Sequence, residues 1–344
     1  IGTLELAERI ELTFASMEKL DRFNGHFLNW YDTTTLTPLT PHYVSTVDSG
    51  NLAGHLLALK QVCVEIGEQR LIDGRVIDGL MDTVAMMREE AGKLGAVRQS
   101  TGAVTLKQLR GEIDQCEASL SSKAPGTLSG WFELLQKVTA RISEVDDIIG
   151  ALAHEHGSEQ FEQLSWWTRS LTHQLRQHNR DFATLAPWAS ALTPGSAASI
   201  ASCSDESLAQ WNDIASLLNR VPALDELPSI CHNAQVRLSE LRDKIELCKR
   251  PDRDSALKQL KTLMGRLDDG SGAAMALAAR YSDIARRSNE LMEAMDFRFL
   301  FDRGRKVFSI GYNVTDGRAD NSFYDLLASE PRLARSAGIA KGDV

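Results

Sequence analysis

Nowhere in the 344 residues does an apolar run approach the roughly 20 positions a membrane-spanning helix requires, so no segment reads as a membrane anchor. Disulfide chemistry is equally poorly provided for. The five cysteines, Cys63, Cys116, Cys203, Cys231 and Cys248, are odd in number, widely spaced and without a C-x-x-C pair; they read as free thiols of a reducing compartment. Basic excess is missing too: 38 Lys and Arg against 47 Asp and Glu leave a net charge of −9. Counterion release from nucleic acid needs a basic face, so this balance speaks against a nucleic-acid partner and leaves neutral ligands such as sugars open. There is no G-x-G-x-x-G after a strand pattern and no G-x-x-x-x-G-K-[ST], hence no recognisable nucleotide cradle, and no cofactor is expected. Metal ligands are not grouped either. His154 and His156 stand two apart, which on a helix points them roughly 200° apart, and Asp146-Asp147 sits mid-helix with no strand beside it.

What is present is ordinary for a globular protein: 43% hydrophobic and 25% charged residues, in a length that suggests two or three domains. Residues 2–22 carry Leu6, Ile10, Phe14, Met17 and Leu20 at helical spacing, with Thr3 to start the helix and Asn24-Gly25 to end it. Helical periodicity returns near 56–70, 76–97, 105–121, 131–152, 158–186, 205–219, 233–249 and 253–294, with breaks such as Pro125-Gly126, Pro187, Pro194-Gly195 and Pro251. The last of these is long enough that a break at Asp269-Gly270-Ser-Gly272 is expected. Trp166-Trp167 and Trp188 read as core between helices rather than as a sugar platform. The sequence starts at Ile1 inside a helical pattern and stops at Val344, so a segment of a longer polypeptide is expected.

Two segments differ from this helical background. From Gly25 to Tyr43, Phe27, Trp30 and Tyr31 alternate with His26, Asn29 and Asp32 before a run of threonines with Pro38 and Pro41, an extended loop. Aromatic faces beside amides and carboxylates suit sugars; by the general rule that such rings usually pack, the loop reads first as one pinned to a core. Ser45 then precedes Asp48 at capping distance, and Gly50, Ala53 and Gly54 follow, small enough for a backbone or ligand to approach closely. Asp48 is either a helix cap or a site carboxylate, or both. At the other end, Phe297, Phe299 and Phe301 alternate before Gly304 and then Val307, Phe308 and Ile310, predicting a short two-stranded ribbon. A polar turn follows, and Asn321-Ser-Phe-Tyr-Asp-Leu-Leu-Ala-Ser-Glu330 is read as a helix carrying Tyr324, Asp325 and Glu330.

Three blocks, Asn29-Trp-Tyr-Asp-Thr, Tyr43-Val-Ser-Thr-Val-Asp-Ser-Gly-Asn-Leu-Ala-Gly-His-Leu, and Arg305-Lys-Val-Phe-Ser-Ile-Gly-Tyr-Asn through Glu330, together resemble the glycoamylase-like region of cyclic β-1,2-glucan synthases. The resemblance is strong over 25–57 and 296–344 and general between them. It implies an all-α fold, part of an (α/α) toroid of glycoside-hydrolase type. In that division 1–57 opens the toroid, 58–293 is a helical insertion, and 294–344 continues the toroid with its ribbon. It implies an enzyme that closes a β-1,2-glucan ring by retaining transglycosylation, within a large bacterial protein at the cytoplasmic face of the inner membrane. Glycosyltransferase and phosphorylase-like regions of the same polypeptide would be its partners. This segment itself would be soluble, and catalytically incomplete. A non-catalytic glucan-binding or helical spacer module is the alternative. Matched to the family motifs, Glu330 is the acid/base, and Asp48, Trp30, Tyr31, Asp32, Asn29, Tyr324, Asp325 and Asn321 bind glucan; the second carboxylate is expected beyond Val344. The chain departs from the family pattern at Pro331, where Ala is usual, and a kink beside Glu330 is expected.

Overall fold

The computed structural model describes residues 1–94, 105–192, 198–202, 204–249, 251–325 and 327–344. Pro194-Gly195 and Cys203 therefore lie outside the described residues. The described chain is mostly helical, as expected, with a few short strands. In order the elements are α1 (Thr3–Met17), β1 (Arg22–Phe23), β2 (His26–Phe27), β3 (Tyr43–Ser45), α2 (Thr46–Glu65), α3 (Gly74–Lys93), α4 (Leu106–Leu120), α5 (Leu128–His156), α6 (Glu162–Leu185), α7 (Ala198–Ala201), α8 (Asp205–Leu218), α9 (Leu227–Glu246), α10 (Arg253–Ala294), β4 (Phe301–Asp302), β5 (Val307–Phe308), β6 (Gly311–Asn313), β7 (Arg318–Ala319) and α11 (Arg332–Lys341). Among the described residues no helix is long and apolar enough to cross a membrane. Cys63, Cys116, Cys231 and Cys248 are free thiols.

Contacts divide the chain into two compact units, Ile1–Leu6 with Glu68–Leu277, and Ala7–Gly67 with Ala278–Val344. In the first unit each helix buries one stripe. Along α5, Trp131, Leu135, Val138, Ile142, Val145, Ile149 and Leu152 recur every three or four residues and are all but inaccessible to solvent. Starts are fixed by side chains that accept the first free amides: Thr105 and Gln108 form a reciprocal box on α4, and Ser204 accepts from Ser207 N at 3.0 Å on α8. Buried Asp181 accepts from Thr3 N at 2.6 Å and Leu4 N at 3.2 Å, and its burial holds its carboxyl above the usual range.

Two expectations fail in this unit. The 42-residue α10 does not break at its glycines. A Cβ on Gly270 would lie 2.6 Å from Trp188 Cζ3 and 3.0 Å from the Leu185 carbonyl oxygen, so that glycine serves close packing rather than a turn. Trp188 is core as expected, fully buried with its indole N–H donating to the Leu218 carbonyl at 3.1 Å. Trp166 is not: it is 51% exposed and meets Trp167 edge-on at 4.5 Å. Adjacent residues on a helix point about 100° apart, so both tryptophans could not have faced one core.

The second unit begins with a hairpin. Asn24 and Gly25 have φ of 48° and 83°, the left-handed pair that a two-residue turn between β1 and β2 demands. These residues thus open a hairpin rather than simply ending a helix. A Cβ on Gly25 would sit 1.9 Å from the Ala294 carbonyl oxygen. His26 is wholly buried against Phe297 and Phe299, and its Nε2 meets the Asp296 carbonyl at 2.9 Å. Burial lowers its pKa to about 4. The ribbon after α10 is shorter than its alternation suggests. Residues Arg298–Leu300 form a 3-10 turn, and only Phe301–Asp302 and Val307–Phe308 pair. The cause lies in how α10 ends: Lys341 donates to the Met292 and Glu293 carbonyls, and Phe297 N donates to Asp343, which holds the first phenylalanine out of a strand.

Candidate functional site

Residues 308–313 organise the site of the second unit. On one side β3 pairs antiparallel with β6, Tyr43 opposite Asn313 and Ser45 opposite Gly311, and Thr46 donates from its amide to the Ile310 carbonyl at 3.1 Å. On the other side the chain returns through β7, and Asp320, Ser322 and Tyr324 hydrogen-bond back to Gly311, Ile310 and Phe308. The two segments singled out in the sequence are thereby brought alongside one another. At three and two residues these strands are too short to show a period in the sequence.

Asp48 enters from the start of α2. Ser45 is the N-cap, its hydroxyl accepting from Asp48 N at 3.2 Å, so the capping part of the Asp48 reading holds. The Asp48 carboxylate is exposed in the first helical turn, where the helix dipole favours an anion. The small residues behind it meet another helix: a Cβ on Gly50 would stand 2.4 Å from the main-chain N of Ala334, and one on Gly54 3.0 Å from the Leu333 side chain at Cδ1. Through them α2 packs against α11.

Glu330 is not on a helix. Residues 321–325 and 327–331 form extended and turn structure, and α11 begins only at Arg332 with Pro331 as its N-cap. Proline lacks the amide a continuing helix needs and its ring clashes with the carbonyl four residues earlier, so it starts a helix instead of kinking one. Asp325 adds a turn of its own, its Oδ1 accepting from Leu327 N at 3.1 Å, while Arg335 donates to its carbonyl at 2.6 Å. Glu330 is left exposed.

Tyr324 links the carboxylates. Its phenol pKa is raised by burial, then by the negative charges of Glu330 and Asp48, which places all three side chains in one electrostatic neighbourhood. Tyr43 lies next to this group. Its hydroxyl donates to Asp320 Oδ2 at 3.3 Å, and burial followed by the Asp320 charge pushes its pKa up to about 12. Trp30, 48% exposed, tilts at 34° against the Tyr43 ring with centroids 6.4 Å apart. Tyr43 and Asp320 were not among the sequence candidates, and only their places inside the quoted blocks could have drawn attention to them.

The other sequence candidates are engaged differently. Asn29 backs the site: its Oδ1 accepts from Ser45 N at 3.1 Å and its amide donates to the Tyr43 carbonyl at 2.9 Å. Tyr31 ties the preceding loop, donating to the Asp21 carbonyl at 2.6 Å and accepting from Leu28 N at 2.8 Å. Asp32 closes its own turn on the amides of Thr35 and Thr34, which hold its carboxyl below the usual range. Asn321 and Asp325 are exposed on the segment leading to Glu330.

Fold and site together define a predominantly helical chain bearing exposed carboxylates beside aromatic rings, the residue classes that carbohydrate chemistry uses. No protein-family profile matches the chain. Its sequence is 28% identical, over an alignment of 346 residues, to a protein named cyclic beta-(1,2)-glucan synthase NdvB from Rhizobium meliloti (strain 1021). That alignment takes in 100% of this chain and 9% of the relative. The relation to such a synthase drawn from the three sequence blocks is borne out over the whole chain.

Proposed function

We propose that this chain is part of a cyclic β-1,2-glucan synthase and acts as its glycoamylase-like region, closing glucan chains into rings by retaining transglycosylation. The reading adds a partial (α/α) toroid built from residues 1–57 and 294–344, with 58–293 as a helical insertion, a membrane-protein context at the cytoplasmic face, and glycosyltransferase and phosphorylase-like regions in the same polypeptide. What supports it most is one observation: β3 pairs with β6 and Thr46 N bonds the Ile310 carbonyl, so two of the three sequence blocks, far apart in the chain, lie side by side.

Cyclisation conserves the number of glycosidic bonds, which a double displacement achieves. Glu330 gives its proton to the leaving glycosidic oxygen while a second carboxylate attacks the anomeric carbon to form a glycosyl-enzyme. In such enzymes the two carboxyl groups stand about 5–5.5 Å apart. Glu330, now a carboxylate, takes the proton of a hydroxyl at the far end of the same glucan. That oxygen attacks the anomeric carbon, frees the second carboxylate and completes the ring. Asp48, on the helix start, accepts sugar hydroxyls beside the bond being broken.

The test is Glu330→Gln in the full-length protein, with products resolved by mass spectrometry, where a ring weighs one water less than its linear chain. Cyclic product should fall about 10²–10⁴-fold while linear glucan accumulates. Undiminished cyclisation would overturn the catalytic reading in favour of a glucan-binding module.

A further inference from the structure

We infer that Tyr43, held by Asp320, is a sugar-positioning residue of this site and forms with Trp30 a two-ring surface that seats a glucose unit next to Glu330 and Asp48. The inference rests on the glucan reading above, and its ligand class is a neutral β-linked glucose chain.

Three features of the structure point this way. The first is the space reserved for the phenol. Tyr43 lies across Gly311, where a Cβ would come within 2.3 Å of its hydroxyl and 2.4 Å of Cζ. Any other residue at 311 would push the ring away. The main chain of Tyr43 is fixed as firmly, by pairing with Asn313 and by the amide of Asn29.

The second feature is the acceptor capacity of Asp320. Its Oδ1 accepts from Ser322 N at 3.2 Å and its Oδ2 from the Tyr43 hydroxyl at 3.3 Å. An ionised carboxylate offers roughly four acceptor sites, so two are filled and two are left over on a half-buried side chain. Sugar hydroxyls are the donors that fit them. Tyr43 meanwhile keeps its proton at any working pH and has lone pairs for a second hydroxyl.

The third is the ring pair itself. Trp30 keeps about half its surface in water although burying such a ring would stabilise the fold by roughly 1.5–3 kcal/mol. It leans on Tyr43 at 34° and so leaves open a shallow apolar angle that the C–H face of a pyranose can cover. Tyr43 sits in β3, which pairs with β6, and Tyr324 N bonds the Phe308 carbonyl on the other side of the same segment, with Tyr324 within electrostatic reach of Tyr43, Glu330 and Asp48.

The experiment titrates linear β-1,2-linked glucose oligosaccharides into the full-length protein by calorimetry, and measures cyclisation over a range of their concentrations. Variants are Tyr43→Phe, Asp320→Asn and Trp30→Ala, with thermal midpoints recorded for each. Tyr43→Phe keeps the ring and removes only the hydroxyl, so it should fold; oligosaccharide binding should weaken about tenfold. KM should rise in parallel while kcat changes less than threefold. Asp320→Asn retains one acceptor and should fall between Tyr43→Phe and wild type. Unchanged affinity in both Tyr43→Phe and Trp30→Ala would overturn the inference, and so would lower thermal midpoints with KM unmoved, which would make the pair a strand brace. Weakened binding in these variants together with full cyclisation by Glu330→Gln would leave the positioning role standing and remove only the assignment of Glu330.

Discussion

Replacing Gly50 by Ala sets two well-characterised effects against each other. Alanine in a helix interior is favoured over glycine by about 1 kcal/mol. The new methyl, however, would lie 2.4 Å from Ala334 N and 2.8 Å from Ala334 Cα, closer than van der Waals contact allows. Those are main-chain atoms of α11, which no rotamer change can move. Overpacking of this kind costs about 1–3 kcal/mol, and with a rigid backbone opposite the upper half applies, so Gly50→Ala should lose about 1–2 kcal/mol net. Gly111→Ala in α4 is the control, since nothing stands within 4 Å of its Cβ and only the propensity gain remains. Urea unfolding followed by circular dichroism measures both, and hydrogen exchange over Thr46–Glu65 and Arg332–Lys341 locates the effect. Because Glu330 lies two residues before α11, cyclisation should also fall in Gly50→Ala. If this variant proves as stable as wild type, the close approach of α2 and α11 is not as described.

Two further predictions concern stability alone. Gly270→Ala should destabilise α10 against Trp188 by up to about 2 kcal/mol net of the propensity gain, whereas Gly272→Ala two residues on, with open space around it, should stabilise by up to about 1 kcal/mol; thermal unfolding of the pair checks the sign of each. His26 predicts a pH dependence. Its folded pKa of about 4 lies below the ordinary 6.5, so the unfolded chain binds the proton first, and stability present above pH 6.5 is lost as pH falls toward 4. The full loss is about 3 kcal/mol, and His26→Gln should flatten that part of the unfolding midpoint curve.

How far the sequence could be read depended on how many contacts each feature needed. The stripe of α5 and the Ser45 cap are local, written within one or two turns, and both are found where expected. Gly270 is not local. Its neighbours Leu185, Pro187 and Trp188 stand some eighty positions away, so a glycine that permits contact looks the same in sequence as one that breaks a helix. The Asn24-Gly25 hairpin did carry its own signal, yet strands of two residues gave it no flanking alternation. The segment 321–330 after its polar turn suggested a capped helix, but Pro331 and the Asp325 turn outweighed it. Tyr324 beside Asp48 and Glu330, and Tyr43 on Asp320, depend on strand pairings that no spacing encodes.

The pairing of β3 with β6 also sets a timetable. The Thr46 hydroxyl bonds the Ser309 carbonyl 263 positions later in the chain, and neither strand of that ladder can close before both have been made. At roughly 5–20 residues per second, synthesis keeps β3 and the glycine face of α2 waiting about 15–50 s for their partners. At equilibrium the distance matters little, since doubling a loop adds only about 0.6 kcal/mol to its closure. The burden of the long excursion is kinetic: for about 15–50 s a nascent chain exposes an unpaired strand edge and a small-residue helix face. A chaperone that shields residues 43–54 during translation would protect the part of the molecule on which the candidate site is later assembled.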